Sequence, residues 1–301
     1  MLLAVNYSLP IADLLSAGRI RLDRLKCPAW PEVIAAAREL SPLYTHFPLR
    51  VGAGSGDAID TEKNLPADWA KVERMLAETG TPFINLHMSP ILDDYPGIPA
   101  QAADPAFAKR LAENLIRDIR AVTRRFGAER VILENDHAGD GQLMRLALLP
   151  GLFTRVLDET GCGLLLDVAH ARLAAASLGM DPRAYLGAFP LERAREIHVS
   201  GIQQCEAQWA DLARLMDIDP AHIRQVVGPL TDHVPMLEED WEFYGWALAQ
   251  VHAGRWGQPE VIAFEYGGVS PLWESVTRAE VLAAQIPRLY ELVKGNHAHP
   301  G

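Results

Sequence analysis

Short runs of apolar, strand-forming residues alternate with longer segments of helical periodicity along almost the whole chain. The runs are LLAVNYS (2–8), RLDRLKC (21–27), LYTHFPL (43–49), FINLHMS (83–89), RVILEN (130–135), GLLLDV (163–168), REIHVSG (195–201) and VIAFEYG (261–267). The clearest helix takes Asp104 as N-cap and Pro105 as its first residue. Phe107, Leu111, Leu115, Ile119, Val122 and Phe126 then recur three or four apart, and Gly127 closes it. That spacing predicts one amphipathic face laid against a sheet, and RVILEN begins just beyond it. Eight such units, undivided by any linker rich in Pro, Gly or Ser, predict an α/β fold: one (β/α)8 TIM barrel. The first two units are short and residues 202–240 are irregular, so an elaborated loop is expected after the seventh strand. The expected organisation is a single domain over 1–295 with a flexible C-terminal tail over 296–301.

The polar residues of these runs gather at one end. His46, His87, Glu134, Asp167, His198 and Glu265 each stand at the C-terminal end of a strand, the end where barrel enzymes build their sites. His170 follows Asp167 by one helical turn, and Asp232 and His233 lie in the long loop that leaves the same mouth. Asn135, next to Glu134, is expected to support these groups from behind. Any one of them reads equally well as a rim residue, and Asp167 as a helix cap. Together they are expensive to bury unless paired, hydrogen-bonded or bound to a metal. Five imidazoles and four carboxylates form a nitrogen and oxygen ligand set without thiolate, which excludes a cysteine zinc site and disfavours copper(I). Nine donors exceed what one ion takes, so two or three ions bridged by carboxylates are expected. Zinc for hydrolysis, manganese for isomerisation and iron for oxygen chemistry all fit such ligands.

Other positions carry less. His137 is expected in a solvated loop, and His222, His252, His297 and His299 on the surface. GAGSG (52–56) lacks the Lys-Ser/Thr of a P-loop and the spacing of a dinucleotide fingerprint, so it is expected to be a flexible mouth loop. Lys26 and Arg50 are expected as ordinary rim charges. Trp241, Phe243, Tyr244 and Trp246 are expected mostly in the core. Asn6 and Asn85 sit on strands and have the option of pointing into the barrel.

The 301 residues carry a formal net charge of −11, so the global field repels nucleic acid and anionic membranes, and no run rich in Lys or Arg counters it. Neither is expected as a partner. Cys27, Cys162 and Cys205 have no paired spacing and are expected as reduced thiols of a cytoplasmic protein. The N-terminus lacks the features of a signal peptide, and no apolar stretch reaches the length of a membrane helix.

The run from Cys162 to Gly201 resembles the central block of the multinuclear non-haem iron-dependent oxidases. It shares Cys162-Gly163, Leu166-Asp167-Val168, the segment Asp181 to Leu186, and Glu196-Ile197-His198 followed by Gly201. Leu133-Glu134-Asn135 is similar to that family's Leu-Glu-Asn strand end, and Phe264-Glu265-Tyr266 stands where the family ends its last strand in Ile-Glu-Trp. The resemblance covers about residues 40 to 290 and is strongest from 130 to 201. Two departures stand out. His170 replaces asparagines, giving an Asp-x-x-His like that of endonuclease IV-like metal sites. Thr231-Asp232-His233 replaces an Asp-x-His. The resemblance implies a xylose isomerase-like barrel that binds two or three iron ions and dioxygen. The activated species would oxidise a cysteine of a ribosomally made peptide, or a small thiol, starting with hydrogen abstraction next to sulfur. It also implies a cysteine-containing precursor peptide as partner and, in many members, a small companion protein that presents it. A zinc- or manganese-dependent sugar isomerase or hydrolase on the same barrel is the alternative.

Overall fold

The structure, a computed structural model, describes residues 1–137, 142–204 and 230–295. Its first strands are β1 (Leu2–Asn6), β2 (Arg24–Pro28), β3 (Leu43–His46), β4 (Leu49–Val51), β5 (Ile59–Asp60) and β6 (Leu65–Pro66). There follow β7 (Ile84–Met88), β8 (Val131–Glu134), β9 (Gly163–Asp167), β10 (Ala194–Val199), β11 (Gly201–Gln204), β12 (Leu230–Val234) and β13 (Val261–Phe264). The helices are α1 (Leu9–Ser16), α2 (Pro31–Ala37), α3 (Trp69–Thr79), α4 (Pro105–Phe126) and α5 (Pro150–Thr160). After them come α6 (Val168–Leu178), α7 (Pro182–Gly187), α8 (Glu238–His252), α9 (Pro271–Val276) and α10 (Ala279–Lys294).

The ladder runs β3-β2-β1-β13-β10-β9-β8-β7-β4, every neighbour parallel. Its two ends, β3 and β4, are separated in the chain only by Phe47 and Pro48, so they are halves of one bent segment. Pro48 cannot donate to a ladder, which is why the run 43–49 breaks there. The side chain of Asn85 bridges the gap: its Oδ1 accepts from Phe47 N (2.8 Å) and its Nδ2 donates to Phe47 O (2.9 Å). The sheet thus returns on itself through eight strand positions, as an α/β barrel requires. After the seventh, β10, the chain enters the antiparallel β11–β12 pair, the described part of the expected elaborated loop. Cys205 and His222 within that loop, and the tail 296–301 with His297 and His299, lie outside the described residues.

Because helices cover the outside and side chains fill the inside, strand interiors are apolar on both faces. Outward residues such as Leu3, Leu86, Leu133, Leu166 and Ile197 join the main core beneath the helices. Inward residues form two small separate clusters, Ala4 with Val261 and Ala263, and Phe83 with Ile132 and Leu165. Trp241, Phe243 and Tyr244 are buried as expected, while Trp246 is half-buried; His252 is exposed.

Helix α4 matches the sequence pattern: Asp104 accepts from Phe107 N (2.9 Å), and Phe107, Leu111, Leu115, Ile119 and Val122 are buried. Within that apolar face stands Asp118, fully buried. The GAGSG segment closes over it. Gly52 N (3.1 Å) and Gly54 N (2.8 Å) donate to Asp118 Oδ2, and Gly56 N (2.7 Å) donates to Oδ1. The expectation of a flexible mouth loop is therefore corrected: the loop is a cradle whose anion belongs to the chain. Gly54 has φ +74°, and a Cβ there would meet Asn114 and Arg117 side-chain atoms within 2.6 Å. Charge-assisted hydrogen bonds of this kind contribute strongly when buried. Asp118→Ala is expected to destabilise the protein by about 3 kcal/mol, read as a lower urea midpoint, because three donors lose their acceptor. An unchanged midpoint would contradict the cradle.

Candidate metal centre

Strand side chains alternate between faces, so each strand delivers an inward residue near its C-terminal end to the same rim. Those residues are Asn6, Lys26, His46, His87, Glu134, Asp167, His198 and Glu265, one from each of the eight positions, Glu265 lying one residue beyond β13. The first turn of α6 adds His170, and β12 adds Asp232 and His233. All nine sequence-derived candidates converge. His87 Nε2 and His46 Nε2 lie 3.1 and 3.5 Å from Glu134 Oε2. His198 Nδ1 is 3.3 Å from both Glu134 Oε1 and Glu265 Oε1, and 3.9 Å from Asp167 Oδ2. His170 Nε2 is 3.0 Å from Asp232 Oδ2, and His233 Nε2 is 3.7 Å from Glu265 Oε2. Asp232 thus belongs to the cluster despite its altered spacing. His233 sits in the left-handed region, φ +56°, uncommon for a residue with a Cβ.

The residues behind the cluster fix which atoms face it. Asp167 caps α6 through Oδ1, which accepts from His170 N (2.7 Å), leaving Oδ2 toward the imidazoles. The cap and the cluster are both roles of this one residue. Asn135 ties β8 to β9, its Nδ2 donating to Asp167 O (2.8 Å) and its Oδ1 accepting from Asp167 N (2.9 Å). Its carbonyl lies 2.9 Å from His170 Nδ1, and Leu49 O lies 3.2 Å from His87 Nδ1, so both rings present Nε2 inward. His198 is turned the other way. Its Nε2 lies 2.6 Å from Glu196 Oε1, and Tyr44 OH donates to the other Glu196 oxygen. The Nδ1 lone pair is then the one facing the carboxylates, the carboxylate–histidine arrangement of metal sites.

Among the described residues, three donor groups are close enough to share an ion: His46–Glu134–His198, Glu134–Asp167–His198–Glu265, and His137–His170–Asp232. Glu134 Oε2, His198 Nδ1 and Asp232 Oδ2 are buried and lack a hydrogen bond of good geometry, although opposite groups stand close by. Convergence without a shared proton is what an intervening cation produces, so the residues fit a metal centre. Burial alone would push Glu134 up, yet the His87 and His198 charges hold its carboxyl well below the usual range. Burial opposes charge on His170 too, but Asp167 and Asp232 raise it well above an ordinary imidazole. Desolvation pushes His46 and His233 down, toward the neutral form that binds metal.

Three sequence expectations are corrected. Lys26 is no rim charge: it is 4% exposed, its Nζ contacts Glu265 Oε1, and it stands 3.5 Å from His198 Nε2. Burial lowers its ammonium to about 8. Arg50 is buried and bound to Asp94 at 2.7 and 3.1 Å, which ties β4 to the loop after β7. His137 is half-buried with its ring 4.8 Å from that of His170, inside the third donor group. Glu196 and Tyr44 were missed. The available signal was the two-residue spacing that puts Glu196 on the same face as His198.

The cluster floors a cavity of about 540 Å³ whose walls include Tyr7, Trp30, Pro48 and Trp273. Cys27 lines it and Cys162 is buried elsewhere; burial pushes their thiols up to about 12 and 11, so both hold their protons. Among the described residues no helix is long and apolar enough to cross a membrane.

Comparison with known proteins places this geometry. Among solved structures, D-psicose 3-epimerase from Clostridium cellulolyticum H10 is 14% identical, with TM-score 0.52 over 98% of this chain and 99% of that one. Endonuclease IV from Thermus thermophilus is also 14% identical, with TM-score 0.50 over 99% and 100%. Both share the fold, an α/β barrel. A UPF0276 protein of Caulobacter vibrioides (strain NA1000 / CB15N) is 26% identical over 84% of this chain and 79% of its own. A UPF0276 protein of Bordetella pertussis is 40% identical over 31% and 28%. A family model described as "RiPP precursor modification enzyme MbnB/TglH/ChrH" matches residues 29–235, which is most of the barrel. The chain belongs to the MbnB/TglH/ChrH family of RiPP precursor modification enzymes.

Proposed function

We propose that this chain is a multinuclear non-haem iron-dependent oxidase that uses dioxygen to oxidise a cysteine of a ribosomally made precursor peptide. One observation supports this most: a buried cluster of nitrogen and oxygen donors, without thiolate, that floors a cavity. His46, His87, Glu134, Asp167, His170, His198, Asp232, His233 and Glu265 would hold the iron. Bound iron would supply the activation of dioxygen, which is the oxidant, with the cysteine as reductant.

The chain's own residues account for the rest of the task. Glu196 holds the His198 Nε2 proton, so Nδ1 stays a ligand. Asn135 and Asn85 lock the strand ends that carry Glu134, Asp167 and His46. Trp30, Tyr7 and Trp273 give the cavity apolar walls that exclude water and orient an extended peptide. A space of about 540 Å³ admits a side chain and its flanking backbone, so the reacting cysteine belongs to an unfolded segment. A small companion protein presenting the precursor completes the proposal, and the net charge of −11 suits a basic leader or partner.

Protein loaded anaerobically with iron(II) is expected to consume oxygen when a cysteine peptide and air are added, with a mass change on the peptide alone. Tight zinc or manganese with no oxygen uptake would contradict the oxidase reading. Among variants, His198→Ala is expected to lose iron and turnover while keeping its circular dichroism spectrum. Glu196→Gln is expected to weaken metal affinity about 10–100-fold, as measured by competition with a chelating dye. Unchanged affinity in Glu196→Gln would show that the carboxylate does not set the orientation of His198.

A further inference from the structure

The wall of the cavity holds a carboxylate that the metal centre does not use. Glu62 lines the cavity beside Trp30, and Trp30 Nε1 donates to its Oε1 (2.8 Å). Resting on the reading of this cavity as a peptide site, we propose that Glu62 and Trp30 form a specificity subsite for a basic side chain, lysine or arginine, within a few residues of the reacting cysteine.

Charge is the first reason. Three carboxylates line the cavity: Glu62, Glu134 and Glu265. Glu134 has imidazoles around it and Glu265 has Lys26, the one lysine or arginine among the lining residues. Glu62 is different. Among the described residues its partner is the neutral indole N–H, and no lysine or arginine pairs with it. Nor does a cation of the chain lie over the Trp30 ring, although seven other aromatic rings of the chain carry one. A carboxylate beside an indole face suits a cation twice over, through ion pairing and through the ring's negative face.

Placement is the second reason. Glu62 is exposed, but the turn that carries it is held at every residue. Thr61 N (2.8 Å) and Thr61 Oγ1 (3.2 Å) both donate to Pro48 O. Asp60 Oδ1 accepts from Glu62 N (3.0 Å) and Lys63 N (3.1 Å). Asn64, in the left-handed region at φ +52°, offers Oδ1 to the buried Arg50 (3.3 Å). Pro48 is two residues after His46, so the turn stands on the His46 side of the metal cluster. The carboxylate is thus preorganised next to the floor, and little ordering is needed when a side chain docks on it. Glu62 would not touch the reacting atoms; its role is to choose which peptide reaches them.

The test is anaerobic binding to iron(II)-loaded protein, read by fluorescence anisotropy. The probes are end-labelled glycine–serine peptides with one cysteine, each carrying a single lysine at one position, and matching peptides with norleucine there. At one or more positions lysine is expected to tighten binding about 5–10-fold over norleucine, less so in high salt. Glu62→Gln is expected to erase that preference, and Glu62→Lys to transfer it to peptides with glutamate in place of lysine. Circular dichroism checks that both variants fold. Lysine peptides that bind no tighter than norleucine peptides overturn the inference, as does a preference that survives in Glu62→Gln. A Glu62-dependent preference in a protein that takes up no oxygen in air would support the subsite while overturning the oxidase reading.

Discussion

The structure depends on how a barrel mouth tolerates five carboxylates and a ring of imidazoles taken out of water together. Each isolated charge buried this way costs several kcal/mol, and mutual repulsion among the carboxylates adds to it. Only close opposite charge offsets that cost. Among the described residues the chain supplies one ammonium there, Lys26, with imidazoles standing close to the carboxylates. What remains is four negative charges around a small volume, a pocket whose chemistry calls for divalent cations.

Much of the surrounding architecture keeps those charges where a cation can use them. Asn85 replaces the backbone pairing that Pro48 breaks, and so closes the barrel beside His46. Asn135 binds both backbone polar groups of Asp167 and offers its own carbonyl to His170. Glu196, backed by Tyr44, turns His198. Further out, Asp118 pins the glycine loop after β4, while Arg50 and Asp94 pin the strand itself, the same strand whose Leu49 carbonyl orients His87. Rigid elements carry the donors, and hydrogen bonds behind them choose the atom each presents.

The eight strands were legible because runs buried on both faces need nearly continuous apolar residues, and turns and helix caps mark their limits. The nine donors were legible because a parallel barrel sends the ends of all its strands to one rim. What the sequence hid was partnership. Lys26 looked like a rim charge, although Leu25 and Cys27 on either side of it are outward residues and alternation alone turns position 26 inward. His137 looked like a solvated loop residue because nothing in ENDHAGD reveals that its ring lies against that of His170. The glycine run looked flexible because its anion is far away in sequence. The clue was Asp118 itself, a carboxylate three residues after Leu115 on an otherwise apolar face. Asp232 had the altered spacing, yet β12 still brings it to His170.

Anomalous X-ray scattering at the iron absorption edge, from crystals of anaerobically loaded protein, tests the central claim most directly. The account predicts strong peaks at the barrel mouth, one among His46, Glu134 and His198 and one beside His170 and Asp232. A loaded protein with no anomalous peak within bonding distance of Glu134 would contradict it.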